Sequence, residues 1–259
     1  MPTRASMAQI GRDVAERVRR ELDELGVRSR LIEHSDPTRV CTTLLDSATG
    51  TVTELIENAR PLSAECLDSF AEGFVDEVRA ADIVVLSGSL PAGAPAAFYR
   101  DLLQHVRGRV VLDARGPELV AALECRPFLV KPNREELANT LDRSLDDDEA
   151  LVTALREINQ LGAEWVVVSE GKQGLWASSR EGVWRFEALP VAEVVNPIGC
   201  GDCLAAGIAW ALSRGREPLE CIRIGTAAAA QNAAQLLPGR LSVAQAIEQS
   251  RLVQVELYV

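Results

Sequence analysis

The sequence predicts an α/β fold in which a mostly parallel sheet is covered by helices on both faces, with a small β segment set into it. Three observations carry that prediction. Runs that are apolar at every position, Ile83-Val-Val-Leu86, Val110-Val-Leu112, Phe128-Leu-Val130 and Trp165-Val-Val-Val168, alternate with stretches of helical period. A strand without a polar face belongs in a sheet with both faces covered. A length of 259 residues with 47 % hydrophobic content suffices for one large core. Between Arg39 and Ile56 the pattern changes to a stretch rich in Thr, Val and Leu, which interrupts the α/β alternation.

From the start of the chain, Ile10, Val14, Val18, Leu22 and Leu25 fall on one face of a helix predicted over 8–25, which Gly26 ends. The stretch from Arg39 to Ile56 predicts a β-hairpin, broken at Ser47-Ala-Thr-Gly50. From Ser63 onward helices and apolar strands alternate. The acidic run Asp146-Asp-Asp-Glu149 reads as the first turn of a helix, where carboxylates suit the helix dipole. Shorter strands around Leu175-Trp-Ala177 and Val183-Trp-Arg-Phe186 precede helices predicted over 203–212, 218–236 and 242–251.

Charge and cysteine usage exclude several classes of function. The 27 basic and 38 acidic residues give a net charge of −11, which repels a polyphosphate backbone and offers no basic stripe for nucleic acid or anionic lipid. No apolar stretch reaches the ~20 residues that span a bilayer, and the first residues lack the apolar core of a signal peptide, so a cytoplasmic protein is expected. Six cysteines scattered through predicted helices and strands suit reduced thiols. Cys200-Gly-Asp-Cys203 has redox spacing, but it lies inside a phosphate-type loop and no second pair exists for zinc.

That loop, Asn196-Pro-Ile-Gly-Cys-Gly-Asp-Cys203, runs directly into an apolar helical stretch. A Gly-rich turn feeding a helix N-terminus aims several backbone N–H groups at one point, where the dipole adds positive potential. Gly199 and Gly201 allow close backbone approach, and Asp202 is the one ionisable oxygen base in the loop. Phosphoryl transfer needs this combination: N–H groups for the moving phosphoryl and a carboxylate for the hydroxyl proton. The segment alone fits an ordinary turn with Asp202 as helix cap equally well.

The motif and four others in order resemble the ribokinase-like carbohydrate kinases, in the phosphofructokinase B branch that holds 1-phosphofructokinase and tagatose-6-phosphate kinase. Gly199-Cys-Gly-Asp202 is similar to the family's G-A-G-D loop, which implies Asp202 as base with Gly199, Cys200 and Gly201 in the anion hole. Thr38-Arg39 resembles the T-R segment of the lid, and Ser87-Gly-Ser-Leu-Pro91 the sugar-proximal loop, implying substrate contacts from Arg39, Ser87, Gly88 and Ser89. Arg39 also suits a phosphate already on the sugar, because its planar fork donates two parallel hydrogen bonds. Lys131-Pro-Asn-Arg-Glu-Glu136 resembles K-P-N-x-x-E, implying Asn133 and Glu136 near Mg²⁺ through water. Ser169-Glu-Gly-Lys-Gln-Gly174 resembles the nucleotide loop, implying ATP contacts from Ser169, Gly171, Lys172 and Gly174, and Asn232 falls where the family packs adenine.

The resemblance thus implies a three-layer α/β/α fold with the α/β domain over 1–37 and 64–259 and a partial β lid over 38–63. Its activity would be ATP-dependent phosphorylation of a phosphorylated hexose, first of all fructose 1-phosphate to fructose 1,6-bisphosphate. Tagatose 6-phosphate, fructose 6-phosphate, ribose or a nucleoside are alternative acceptors, and a non-catalytic nucleotide-binding protein is a further alternative. Dimerisation through the lid is implied too, and an exposed hairpin edge favours pairing with a second copy.

Some family features are not found in these residues. The N-terminal strand with a substrate-binding Asp and the following G-G-K-G-x-N are absent, so a central strand, part of the lid and several sugar contacts are expected to be missing. A chain start assigned too far downstream explains this, as does a natural shortened protein. Pro197 stands where the family has Thr, and Asp113-Ala-Arg-Gly116 replaces D-T-S-G. Cys200 replaces Ala and puts a thiol at a helix N-terminus, a position that favours thiolate and so oxidation.

Overall fold

A computed structural model describes residues 4–46, 48–49 and 51–259, and the chain parts into two units, Met1–Ala80 with Leu90–Phe98 and Ala81–Ser89 with Tyr99–Val259. The first unit runs β1 (Ala5–Gly11), α1 (Arg12–Glu24), β2 (Arg28–His34), β3 (Cys41–Asp46), β4 (Thr51–Ile56) and α2 (Ala64–Val78). β1 and β2 pair in parallel, from Ala5 opposite Arg28 to Gly11 opposite His34, with α1 as the crossover. The helix expected from residue 8 therefore starts only at Arg12, and residues 8–11 are strand. Ile10 fits both periods, and pairing with β2 decides between them. Gly11 ends the strand in extended backbone and is tied down: its N–H donates to Thr38 Oγ1 at 2.8 Å, and Thr38 N–H donates to Asp13 Oδ1 at 3.2 Å.

β3 and β4 form the expected antiparallel hairpin, with Cys41 opposite Ile56 and Asp46 opposite Thr51. Of its turn, Ser47 and Gly50 lie outside the described residues. α2 is capped by Ser63, whose side chain accepts from Cys66 N–H at 3.2 Å, and Arg30 Nη1 fastens it to β2 by donating to Gly73 O at 3.2 Å.

The second unit is built on a seven-stranded sheet. Its elements are β5 (Ile83–Ser87), α3 (Phe98–Leu103, from Tyr99 on), β6 (Arg109–Asp113), α4 (Gly116–Ala122), β7 (Leu129–Val130), α5 (Arg134–Thr140), α6 (Asp148–Leu161), β8 (Trp165–Ser169), β9 (Leu175–Ser179), β10 (Gly182–Phe186), α7 (Cys200–Leu212), α8 (Pro218–Ala233), α9 (Val243–Ser250) and β11 (Val255–Leu257). The strand order is β11-β10-β9-β8-β7-β6-β5. β5 to β8 are mutually parallel, whereas β8 to β11 pair antiparallel, so the sheet is mixed. The parallel half holds the fully apolar runs, and Val111, Leu112, Val130, Val166, Val167 and Val168 are wholly buried.

Helices close both faces as the pattern requires. α6 turns Leu151, Ala154, Leu155 and Ile158 inward at helical spacing, and all four are fully buried. Its acidic start is as expected: Asp147 accepts from Ala150 N–H at 2.7 Å, with Asp148 and Glu149 in the first turn. α7 and α8 contribute Leu204, Ile208, Ala211, Ile222 and Ile224 to a core shared with Val111, Leu129, Val167 and Ala177. Burying such side chains is worth roughly 1.5–3 kcal/mol each, so this layer fixes where the N-terminus of α7 points.

Candidate active site

In a parallel sheet, ligand-binding groups gather at the carboxyl ends of the strands. The register of β6 and β7 sets Leu112 opposite Val130, so the next residues, Asp113 and Lys131, emerge side by side. Lys131 is 4 % exposed, and its Nζ lies 3.1 Å from Asp113 Oδ2. Burial raises the Asp113 carboxyl above its ordinary value; the Lys131 ammonium opposes that, and the charges of Asp202 and Glu136 add to it. Ser87 ends β5, and its hydroxyl donates to Asp202 Oδ1 at 3.3 Å. Ser87, Gly88 and Ser89 are exposed, and the loop is held by Tyr99, whose hydroxyl donates to Gly88 O at 2.7 Å. Burial, then the charges of Glu118 and Asp113, push the Tyr99 phenol up to about 12, so it stays a neutral donor.

The N-terminus of α7 meets these strand ends. Gly199 precedes the helix at φ 78°, a left-handed conformation that suits glycine, and no side chain caps the helix. Asp202 is thus not the cap; it lies exposed in the first turn with its carboxylate on Ser87. The amides of Gly201 and Asp202 find no backbone acceptor among the described residues, leaving two donors available to an anion. A Cβ added to Gly201 would stand 3.3 Å from Lys131 Nζ, so a buried ammonium sits directly beneath the loop. Burial raises the Cys200 and Cys203 thiols above their ordinary values, against the thiolate expected at Cys200.

The strand-end loops at 133–136 and 169–174 lie together. Asn133 and Ser169 form a parallel bridge, and Ser169 N–H donates to Pro132 O at 3.3 Å. Asn133 and Glu136 make a reciprocal capping box on α5: Asn133 Oδ1 accepts from Glu136 N–H at 2.8 Å, and Glu136 Oε2 accepts from Asn133 N–H at 3.0 Å. Glu136 Oε1 accepts from Arg115 Nη1 at 3.3 Å. Glu170, its side chain 5 % exposed, pairs with Arg134 Nη1 and accepts from Trp176 Nε1 at 2.8 Å, joining the two loops. Gly171 and Lys172 lie in an exposed turn, and Gly174 is buried behind it.

Two further residues singled out in the sequence are placed differently in the chain. Arg39 belongs to the other unit, exposed in chain without regular structure between β2 and β3. Asn232 is 1 % exposed on α8, with its amide committed to the loop before α7. The sequence reading missed the roles of Lys131, Asp113, Tyr99 and Glu170. Strand alignment alone could have paired Lys131 with Asp113, since the two apolar runs end one residue before each.

Among the described residues no three His, Cys, Asp or Glu side chains form a metal cage. Mg²⁺ needs none when it enters on a nucleotide, because water and phosphate oxygens fill most of its shell and one or two carboxylates suffice. The spare lone pairs of Glu136 and Asn133 fit such water-mediated contact.

What this fold and site define together is a phosphoryl-transfer enzyme of the α/β class. The pfkB family carbohydrate kinase profile matches residues 5–241, and the chain belongs to that family. It is an ATP-dependent sugar kinase of the ribokinase-like fold. Phosphofructokinase-2 from Escherichia coli in complex with fructose-6-phosphate is 27 % identical, with a TM-score of 0.83 over 96 % of this chain and 82 % of that one. The tetrameric inhibited form of the same enzyme gives 25 % and 0.85 over the same shares. A Thermotoga maritima protein described as a possible 1-phosphofructokinase is 20 % identical, with a TM-score of 0.87 over 99 % of this chain and 83 % of that one, a likeness of fold.

Proposed function

We propose that this kinase transfers the γ-phosphoryl group of ATP to a hydroxyl of a phosphorylated hexose, in the first place fructose 1-phosphate. The observation that carries the chemistry is the α7 N-terminus: an exposed carboxylate on Asp202, two unpartnered amides beside it and the Lys131 ammonium below. Asp202 accepts the proton of the attacking hydroxyl, and Ser87, 3.3 Å from its Oδ1, fixes the carboxylate's direction. The amides from Gly199 to Asp202 hold the moving phosphoryl, where preorganised donors need no reorganisation as charge develops. Ser169, Gly171, Lys172 and Gly174 receive the nucleotide phosphates. Asn133 and Glu136 would hold, through water, the Mg²⁺ that neutralises charge on the bridging phosphate oxygens.

Ser87, Gly88 and Ser89 are the sugar contacts of this reading, and Arg39 binds the phosphate already present on the acceptor. The 27 % likeness to an enzyme solved with fructose-6-phosphate makes that sugar the second acceptor to try. Residues 38–63 act as a lid, through which a homodimer forms, and the protein works in the cytoplasm. No helix of the described residues is long and apolar enough to cross a membrane, and the net charge of −11 disfavours nucleic acid.

ADP release from Mg·ATP across fructose 1-phosphate, fructose 6-phosphate, tagatose 6-phosphate, ribose and adenosine tests the proposal. Asp202→Asn should lower kcat by roughly 10²–10⁴ while nucleotide binding holds. Equal turnover of that variant refutes the base. ATP binding without turnover on any acceptor would favour a non-catalytic nucleotide-binding protein.

A further inference from the structure

Asparagine is a poor residue for a helix interior and an expensive one to bury, yet Asn232 sits near the end of α8 at 1 % exposure. Its amide is fully used. Nδ2 donates to Ile198 O at 2.7 Å and to Cys200 Sγ at 3.4 Å, while Oδ1 accepts from Gly239 N–H at 2.8 Å and from the Cys203 thiol at 3.3 Å. Two donors and two acceptors are all that a primary amide is normally counted on to supply. No hydrogen-bonding capacity of that kind is left for an adenine ring.

A second buried asparagine works from the other side. Asn196 is 7 % exposed, and its Oδ1 accepts from Ile198 N–H at 3.0 Å, closing a turn around Pro197, which has no N–H of its own to offer. Its Nδ2 donates to Leu236 O at 2.9 Å. The backbone amides of Val195 and Asn196 both donate to Ala233 O, at 2.8 and 3.2 Å. Ile198 is therefore gripped at both of its backbone polar groups, N–H by Asn196 and C=O by Asn232. The next residue, Gly199, is the left-handed hinge from which the amides of Gly201 and Asp202 take their direction.

We propose that Asn196 and Asn232 are positioning residues of the phosphoryl-transfer reaction, which align the amides of Gly199–Asp202 and touch neither nucleotide nor sugar. The proposal rests on the reading of that loop as the phosphoryl site. Displacement of reacting groups by ~1 Å costs about 100-fold in rate, so the loss falls on kcat.

Asn232→Ala and Asn196→Ala are measured in the full chain for kcat and for KM of ATP and of the sugar, together with backbone hydrogen exchange without ligands. For Asn232→Ala, kcat is expected to fall about 100-fold while KM for ATP moves by less than about 3-fold. Exchange should quicken at Ile198, Cys200, Cys203 and Gly239, whose N–H groups are bonded within or to this loop, while Ile208–Leu212 stay protected. Asn196→Ala should move the same amides, and it decides the matter alone if loss of the more deeply buried amide prevents folding. A rise in KM for ATP with kcat preserved would make Asn232 a nucleotide contact and overturn the proposal. Exchange that quickens evenly along α7 and α8 would reduce both residues to stability and overturn it as well. Asp202→Asn runs alongside: undiminished turnover there removes the phosphoryl-site reading itself, an outcome visible in a different variant from the other two.

Discussion

Replacing Lys131 by methionine removes the ammonium and nearly nothing else, because the side chain is 4 % exposed and its stem stays packed. Asp113, 18 % exposed in its side chain and 3.1 Å away, loses its counter-ion. Breaking a buried pair by deleting one partner costs about 3–5 kcal/mol, and the partial exposure of Asp113 puts this case near the lower figure. At roughly 2–4 °C per kcal/mol for a chain of this size, Tm should fall by about 6–12 °C. The loss depends on pH in a fixed direction. Burial and the charges of Asp202 and Glu136 already raise the Asp113 carboxyl, and without Lys131 nothing opposes them. A carboxyl raised in the folded state contributes stability below its unfolded value and loses it as pH rises through the folded value. The deficit of Lys131→Met should therefore widen as pH rises through the folded Asp113 value and narrow below it. Lys131→Met with Asp113→Leu removes both charges and should recover most of the loss. Thermal unfolding followed by circular dichroism reads all three proteins. A deficit independent of pH, or a double variant no more stable than the single one, would refute the reasoning.

Two more predictions follow from the same unit and its neighbour. Glu170→Ala leaves the Trp176 indole N–H without an acceptor and takes one of several partners from Arg134, which keeps the Leu145 and Asp147 carbonyls, so it should cost about 1–3 kcal/mol; Glu170→Gln, which still accepts from the indole, should lose less, as chemical denaturation will show. Arg39→Ala should raise KM about 10-fold or more for phosphorylated sugars and leave ribose unaffected, since a charge-assisted hydrogen bond is worth ~1.5–3 kcal/mol. Equal rises for both acceptors in steady-state kinetics would separate Arg39 from the sugar phosphate.

The parallel half of the sheet was legible because its strands are apolar at every position, a pattern that exposed structure does not sustain. β2 was not legible. Arg28-Ser-Arg-Leu-Ile-Glu-His34 has polar ends and no clean alternation, and only its pairing with β1 makes it a strand. The same pairing turned residues 8–11 from helix to strand, a case where long-range hydrogen bonding overrides a local period that Ile10 satisfies either way. β11 has three residues, too few for any period. In the site, Asp202 and its glycines were legible as a local motif, since the chemistry and the chain turn coincide there. Lys131 with Asp113, Glu170 with Arg134, and the two asparagines act across elements 18 to 40 residues apart, and no local pattern encodes such partnerships.

Lys131 and Lys172 are the only two lysines among the 27 basic residues, and they are opposites: one sealed beneath the loop, the other on the open Gly171–Gln173 turn. Arginine supplies the rest of the positive charge and is inert to acylation. Of the side chains, then, amine-directed chemistry can reach one alone. An activated ester dye would mark that turn without a mutation, and if the proposed nucleotide loop holds ATP there, shielding of the lysine would become an optical record of occupancy that owes nothing to turnover.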